Sequence, residues 1–247
     1  AMRKAIEQSC NGYFYQLGLQ CGYERIYHMA QALGLGRRTG IGLPAEASGL
    51  LPSDAWKRRV SGGRDAWRAG DTCNVSIGQG ALAVTPVQMA MYCCALANGG
   101  KVYRPRLILS RGGTDNVNGN RAGELINDMR WSRRSLDVVR GGMYDVVQAD
   151  SGTGKRARIA AHAMGGKTGT AEYGPKRDRK KNGGMMGFAP FDAPRYAAVI
   201  LIEDAVSGGI TVAPRMRRLM EGLFSIEAGA AVERIVREIE EENESSA

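Results

Sequence analysis

The sequence predicts an α/β domain in which an antiparallel sheet is covered by helices. Residues 185–190 and 196–203 have the composition of strands, and the connection between them is short enough for a hairpin. Residues 197–202 are apolar without interruption, which is typical of a strand that is covered on both faces. Helical patterns at residues 211–224 and 228–242 can supply cover for one face of this sheet.

The first part of the chain has helical periodicity. Between residues 12 and 35 apolar side chains recur at helical spacing, with a break at Cys21 and Gly22, so we expect two helices and a turn. Residues 36–71 have no periodicity and contain glycine and proline at short intervals. We therefore expect them to be mostly irregular. Loops of this length without periodicity tend to be functional or to lie over a cleft. Residues 70–80 follow and end in a glycine-rich turn.

A helix start is predicted at Thr85. This hydroxyl residue is suited to an N-cap, Pro86 occupies the first helical position, and Gln88 follows three residues after the cap. The pattern predicts a helix that runs to about residue 97, where Asn98 and Gly99 end it.

Less regular segments and one long helix fill the middle of the chain. Residues 102–109 predict a short strand, and Pro105 within it confines that strand to a sheet edge. Residues 111–123 predict a polar loop, and residues 135–148 predict an amphipathic helix. Residues 151–155 resemble a phosphate loop but lack its spacing, so we interpret them as a turn.

A cation, two hydroxyls and a glycine lie close together in the segment Met-Gly-Gly-Lys-Thr-Gly-Thr-Ala-Glu-Tyr, residues 164–173. If this segment is an edge strand, a peptide substrate can pair with its backbone. The missing side chain at Gly169 lets the ligand come close, and Lys167 with Thr170 can bind a carboxylate. We therefore predict that the segment is a recognition surface and a third strand of the sheet.

Three motif families share the letters Lys-Thr-Gly, and neighbouring residues exclude two of them. A Walker A loop requires glycine where Ala161 stands and a helix that begins at Lys167. The aspartyl-phosphate ATPases have their nucleophilic aspartate where Gly166 stands. The third is the Lys-Thr-Gly strand of penicillin-binding proteins and serine β-lactamases, which occurs together with Ser-x-x-Lys and Ser-x-Asn elements.

Length and composition are those of a folded protein. The 247 residues, 43% of them hydrophobic, allow one large domain or two small ones. The formal net charge is +9, but the basic residues are scattered, so we expect no nucleic-acid partner. Five cysteines without Cys-x-x-Cys spacing and two histidines predict no zinc site and no other cofactor. No run approaches the ~18 apolar residues of a membrane span.

Three motifs occur along the chain in order. Ser-Cys-Asn stands at residues 9–11, Gly-Gln-Gly at 78–80 precedes Thr85-Pro86, and Lys-Thr-Gly-Thr at 167–170 precedes Gly-Phe-Ala-Pro at 187–190. Together they resemble the transpeptidase domain of class B penicillin-binding proteins, and most closely the elongation type, penicillin-binding protein 2. The resemblance covers nearly the whole chain. It implies a β-lactamase/transpeptidase-like fold with a helical subdomain, and an active site between that subdomain and the Lys-Thr-Gly strand.

The resemblance also implies a reaction. In this family a serine attacks the penultimate D-Ala carbonyl of a peptidoglycan stem peptide, expels the terminal D-Ala, and passes the acyl group to an amine on a neighbouring strand. Ser9 would relay a proton to the leaving amine, Asn11 would hydrogen-bond the acyl side of the substrate, and Lys167 would supply positive potential. These three residues are the catalytic candidates.

Substrate binding would fall to the residues that follow Lys167. Thr168 and Thr170 would bind the terminal carboxylate, Gly169 would leave room for the peptide, and the N–H of Thr170 would donate to the oxyanion. The implied partners are peptidoglycan stem peptides, β-lactam antibiotics and proteins of the cell-elongation machinery. The implied location is the bacterial cell envelope, at the periplasmic face of the inner membrane, with any membrane anchor upstream of this chain.

One family element is missing from the sequence. Ser-x-x-Lys occurs nowhere, since residues 53–57 and 151–155 are each one residue too long. We therefore expect residues 1–247 to be the C-terminal portion of a transpeptidase domain, N-terminally incomplete and inactive by itself. One alternative is a non-catalytic relative that binds cell-wall peptide or a partner protein. A serine β-lactamase or D,D-carboxypeptidase is a further alternative. It is disfavoured by Gly-Gln-Gly at 78–80 and by Gly-Leu-Leu-Pro at 49–52, which also resembles the elongation type.

Overall fold

The computed structural model describes residues 1–108, 116–117, 120–121, 123–174, 177 and 180–245. The helices are α1 (Met2–Gln8), α2 (Asn11–Cys21), α3 (Tyr23–Ala32), α4 (Asp54–Val60), α5 (Ala69–Ser76), α6 (Pro86–Ala97), α7 (Arg133–Gln148) and α8 (Ala213–Ser245). The strands are β1 (Lys101–Tyr103), β2 (Asn116–Val117), β3 (Asn120–Arg121), β4 (Leu125–Asp128), β5 (Gly165–Tyr173), β6 (Lys180–Ala189) and β7 (Tyr196–Ile202). The structure also contains a short 3-10 helix (Lys155–Ala157) and a π-helical turn (Gly208–Val212).

The main sheet contains β5, β6 and β7 in that order, and both pairings are antiparallel. The three strands predicted from the sequence are therefore confirmed. β6 begins earlier than predicted because Gly183 and Gly184 pair with Thr170 and Gly169 on β5. Part of the predicted basic loop, residues 175–176 and 178–179, lies outside the described residues.

Helices pack on both faces of this sheet. Successive residues of a strand point to opposite faces, and Met185 and Met186 on β6 accordingly enter two different clusters, both largely buried. Met185 packs in a cluster that contains Met216 and Met220 of α8, whereas Met186 packs in one that contains Leu96 of α6. The expectation that a C-terminal helix covers one face of the sheet is confirmed for the part of α8 that carries Met216 and Met220.

The predicted start of α6 is also confirmed. Thr85 Oγ1 accepts a hydrogen bond from the Gln88 N–H at 3.2 Å, and Gln88 Oε1 accepts one from the Thr85 N–H at 2.9 Å. This reciprocal capping box satisfies two donors that the helix itself leaves free. Gln88 is 1% exposed, and its amide also donates to the carbonyls of Arg37 and Ser48. The cap therefore also fixes the long loop that precedes it.

Two helices lie where the sequence predicted irregular structure. α4 begins after Ser53, whose Oγ accepts from the Trp56 N–H at 3.1 Å. α5 begins after Arg68, whose N–H donates to Asp71 Oδ2 at 2.7 Å. Lys57 Nζ joins the two helices by donating to the same carboxylate at 2.6 Å. These helices are too short to show apolar periodicity, and their capping contacts hold them in place.

Three other expectations need correction. The two predicted C-terminal helices form one continuous helix, α8, in which Gly222 has open space around its Cα and no proline follows Pro214. β7 was expected to be covered on both faces, but Leu201 is 51% exposed, so one face of this strand is only partly covered. The strand predicted at 102–109 ends at Tyr103, before Pro105. Much of the predicted loop 111–123, including residues 111–115, lies outside the described residues.

Candidate active site

Ser9 lies at the junction of α1 and α2, in a left-handed backbone conformation with φ 53° and ψ 47°. The Ser9 N–H donates to the Ile6 carbonyl at 3.2 Å, and the Cys10 N–H donates to the Ala5 carbonyl at 2.9 Å. These contacts close the end of α1. A left-handed conformation costs a residue with a Cβ roughly 1–2 kcal/mol. Serine is nevertheless present at this position, where its hydroxyl reaches the sheet.

Lys167 on β5 contacts Ser9 at the end of α1. Its Nζ donates to Ser9 Oγ and also to the Thr168 carbonyl at 2.7 Å. Burial lowers the pKa of the Lys167 ammonium to about 8, because the charged form loses water that the protein only partly replaces. Near neutral pH the lysine can therefore exchange a proton with the serine hydroxyl it contacts.

Thr168 points toward the turn at residues 151–155. Its Oγ1 donates to Thr153 Oγ1 at 2.8 Å, and Thr153 Oγ1 in turn donates to the Glu7 carbonyl at 3.3 Å. The sequence predicted only a turn here and missed that it contributes a side chain to the site. The signal that could have identified it is the small-residue run Ser-Gly-Thr-Gly before a tightly packed core segment.

The outer part of β5 presents Gly169 and Thr170. A methyl group at Gly169 would meet no atom within 4 Å, so the space beside this residue is open for a ligand. Thr170 Oγ1 accepts from the Gly208 N–H at 3.3 Å, and the Thr170 carbonyl accepts from Gln79 Nε2 at 3.1 Å. The Gly-Gln-Gly turn therefore touches the Lys-Thr-Gly strand at the residue expected to serve as oxyanion donor.

Asn11 is the first residue of α2, and it is exposed. Its side chain makes no hydrogen bond to any other residue that the structure describes. Of the six site residues predicted from the sequence, Ser9, Lys167 and Thr168 are joined by hydrogen bonds along one wall of the cleft. Asn11 lies at the start of the next helix without a direct contact to Lys167.

β5 opens onto a groove of about 730 Å³. Apolar side chains from α3, α6 and the sheet line most of it. Among them are Ile26, Met29, Met89, Met186, Val199 and Leu201. Lys167, Thr168, Gly169 and Thr170 contribute its polar stretch. A long apolar groove with a few polar groups at one wall suits a peptide or acyl chain that lies along β5.

Among the described residues, no group of three or more His, Cys, Asp or Glu side chains is placed to hold a metal ion. The described site brings together hydroxyl, ammonium and backbone groups. This arrangement of a serine, a lysine with a lowered pKa and an open edge strand is suited to proton transfer beside a bound peptide.

Comparison with known proteins places this geometry in a family. A profile described as "Penicillin binding protein transpeptidase domain" matches residues 1–221. Peptidoglycan D,D-transpeptidase MrdA of Salmonella typhimurium is 36% identical over 239 residues, which cover 91% of this chain and 38% of the relative.

Solved structures agree with this match. Pseudomonas aeruginosa PBP2, in complex with WCK 5153, matches with a TM-score of 0.80 and 30% identity over 90% of this chain and 48% of that chain. PBP2 of Helicobacter pylori, in complex with MreC, matches with a TM-score of 0.77 and 29% identity over 91% of this chain and 40% of that chain. The chain spans less than half the length of each relative, and the expected transpeptidase-like fold is confirmed. By this profile match, and by the sequence identity that accompanies it, the chain belongs to the penicillin-binding protein transpeptidase domain family.

Proposed function

We propose that this chain forms the Ser-x-Asn and Lys-Thr-Gly parts of the active site of a peptidoglycan D,D-transpeptidase of the penicillin-binding protein 2 type. The observation that carries the proposal is the contact of Lys167 Nζ with Ser9 Oγ beside an open edge strand. These groups come from residues 158 positions apart. Their meeting in a cleft supports a shared chemical role over two unrelated surface motifs.

The proposed steps follow from the chemistry of the groups present. A stem peptide lies along β5, and Thr170 and Lys167 attract its terminal carboxylate. The Thr170 N–H stabilises the oxyanion that forms when the penultimate carbonyl is attacked, and loss of one such donor typically costs about 3 kcal/mol of transition-state stabilisation. Ser9, in contact with Lys167, passes a proton to the leaving amine of D-Ala. Asn11 holds the acyl side of the peptide.

The nucleophile is the remaining requirement. The reaction needs a serine activated by a lysine one helical turn away, and the 247 residues contain no Ser-x-x-Lys. Ser9 contacts Lys167, but its proposed task is proton transfer. We accordingly assign to this chain the proton-relay and substrate-binding groups of the reaction, and we expect the chain by itself to be inactive.

Partners and location form a further part of the proposal. The Helicobacter pylori relative is seen in complex with MreC, which supports a partner of the cell-elongation machinery for the protein that contains this chain. β-Lactam antibiotics would bind in the same cleft as the stem peptide. None of the helices that the structure describes combines the length and the apolar character needed to cross a membrane. The proposed place of action is the periplasmic face of the inner membrane, where stem peptides are cross-linked.

Labelling with a fluorescent penicillin tests the proposal. Two polypeptides are compared: the 247-residue chain, and a longer one in which an in-frame Ser-x-x-Lys segment precedes it. We expect a stoichiometric adduct on the longer polypeptide alone, because loss of a nucleophile elsewhere has reduced turnover by ~10⁶. Ser9→Ala and Lys167→Ala in the longer polypeptide should slow labelling by ~10²–10⁴. Ser225→Ala, at an exposed position on α8, is the matched control and should leave the labelling rate unchanged.

Two outcomes would overturn the assignment. An adduct on Ser9 of the 247-residue chain would show that Ser9 is the nucleophile. If the longer polypeptide remains unlabelled although it is folded, the alternative of a non-catalytic protein that binds cell-wall peptide is favoured. The specific observation behind that alternative is the absence of Ser-x-x-Lys from these residues.

A further inference from the structure

Glu7, two residues before Ser9, is a buried carboxylate with no role in the reaction described above. Its residue is 4% exposed, and it is the only acidic residue among the buried polar residues that the structure describes. Its Oε1 accepts hydrogen bonds from Lys4 Nζ at 2.8 Å, from Gln8 Nε2 at 2.9 Å and from Ser151 Oγ. A carboxylate buried this deeply is retained only when its oxygens are well satisfied.

Three further hydrogen bonds join the end of α1 to the turn at 151–155 and that turn to the sheet. Gln8 Nε2 donates to the Ser151 carbonyl at 2.7 Å, so side chains from the end of α1 hold both polar groups of that residue. Thr153 Oγ1 bridges the Glu7 carbonyl, at 3.3 Å, and Thr168 Oγ1, at 2.8 Å. An uninterrupted set of hydrogen bonds therefore runs from α1 through the turn at 151–155 to the strand that carries Lys167.

The turn itself is fixed against α7. A Cβ at Gly152 would lie 2.3 Å from the Val146 carbonyl oxygen, and the Gly154 N–H donates to that same carbonyl at 2.9 Å. A side chain at Gly152 is thus excluded, and the turn sits directly on the backbone of α7. Because the turn cannot shift, groups anchored to it are held in place relative to β5.

We infer that Glu7 is a positioning residue, which with Ser151 and Thr153 locks the end of α1 to the turn and so keeps Ser9 on Lys167 and shields Lys167 from water. Without the carboxylate, Ser151 and Gln8 lose a shared acceptor, and the end of α1 gains freedom at the point where Ser9 sits. The importance of Glu7 for catalysis rests on the proposed function. Its effect on the contact between Ser9 and Lys167 is independent of that function.

The test measures the protonation of Lys167 in the folded 247-residue chain. Competitive acetylation across a pH series, read by peptide mass spectrometry, gives the midpoint at which Lys167 becomes reactive. In the wild-type chain we expect a midpoint near the pKa of about 8. In Glu7→Ala we expect it to rise by at least ~1 unit toward the ordinary value of lysine, because water reaches the ammonium once the end of α1 loosens.

Matched variants separate positioning from general destabilisation. Asp145→Asn removes the ion pair with Arg3, which joins α1 to α7 at the other end of α1, and it should leave the Lys167 midpoint unchanged. Thr153→Val should raise the midpoint, whereas Thr153→Ser, which keeps the hydroxyl, should restore it. Glu7→Gln keeps an oxygen acceptor and should give an intermediate value.

An unchanged Lys167 midpoint in folded Glu7→Ala, with circular dichroism as the check on folding, would overturn the inference. If Glu7→Ala does not fold, Thr153→Val decides in its place, and an unchanged midpoint there has the same meaning. Penicillin labelling does not enter this measurement. Failure of the proposed function would appear as an unlabelled longer polypeptide with the midpoints as expected, and failure of the positioning role would appear as normal labelling with unmoved midpoints.

Discussion

Two regions around β5 are built in opposite ways, and we call them the polar wall and the apolar wall. On one wall, α1, the turn at 151–155 and β5 hold Ser9, Lys167 and Thr168 through hydrogen bonds that connect to the buried Glu7. On the other wall, β7 and α3 present apolar side chains that are half exposed, with Leu201 at 51% and Met29 at 46%. The polar groups of the first wall are hydrogen-bonded to one another, whereas the second wall exposes apolar surface.

This difference indicates that the two walls have different structural requirements. The polar wall carries the groups that we propose for proton transfer, and it needs fixed geometry because a hydrogen bond weakens steeply with small displacements. The apolar wall needs only shape and surface, since burial of apolar area has no direction. We therefore expect changes on the polar wall to be costly and changes on the apolar wall to be tolerated.

The largest loss of stability is expected from Gly142→Leu, which disrupts the packing of α1 on α7 beneath the polar wall. A Cβ at Gly142 would lie 2.8 Å from Cβ of Ile6, so α1 must move away from α7. We expect the free energy of unfolding, measured in urea, to fall by about 3 kcal/mol. Gly222→Ala is the control, because its Cβ would meet nothing within 4 Å, and it should raise stability by up to ~1 kcal/mol. Equal stability of Gly142→Leu and the wild type would show that the two helices are not closely packed.

An intermediate effect is expected for Lys167→Met, and it depends on pH. Burial holds the pKa of Lys167 at about 8 in the folded chain, below its unfolded value of ~10.5. Between these values the unfolded chain binds more protons, so the wild type gains stability as pH rises through this window and lacks that stability below pH ~8. From pH ~7 to ~9.5 the stability of the wild type relative to Lys167→Met should rise by about 2 kcal/mol, as measured by urea unfolding. A pH-independent difference would mean that Lys167 is solvated.

The smallest effect is expected on the apolar wall. Leu201→Lys replaces a side chain that is 51% exposed, so the free energy of unfolding of the 247-residue chain should change by no more than ~0.5 kcal/mol. Ile226→Lys also introduces a lysine, at a position on α8 that is 72% exposed, and it should change the free energy of unfolding equally little. A loss above ~2 kcal/mol for Leu201→Lys alone would show that this wall is covered in solution and would remove the contrast between the two walls.

Features set by residues close together in the sequence were predicted well. The capping box of Thr85 and Gln88 and the order of β5, β6 and β7 follow from local chemistry, because caps and hairpins join groups a few residues apart. The motif letters also placed Ser9 and Lys167 in one site before their contact was seen. α4 and α5 were missed, because contacts such as that of Lys57 with Asp71 leave no periodic pattern.

By itself the sequence determined the family and the three-stranded sheet, and it supplied the polar residues that we propose for the site. Only the tertiary structure decided that Thr153 belongs to the site, that Glu7 is buried beneath it and that β7 leaves Leu201 exposed. The physical reason is that each of these depends on how closely α1 and the 151–155 turn pack on α7, or on how much of β7 its neighbours cover. The contacts of α1 with the turn and with α7 join residues more than a hundred positions apart, and no local pattern encodes the distance between them.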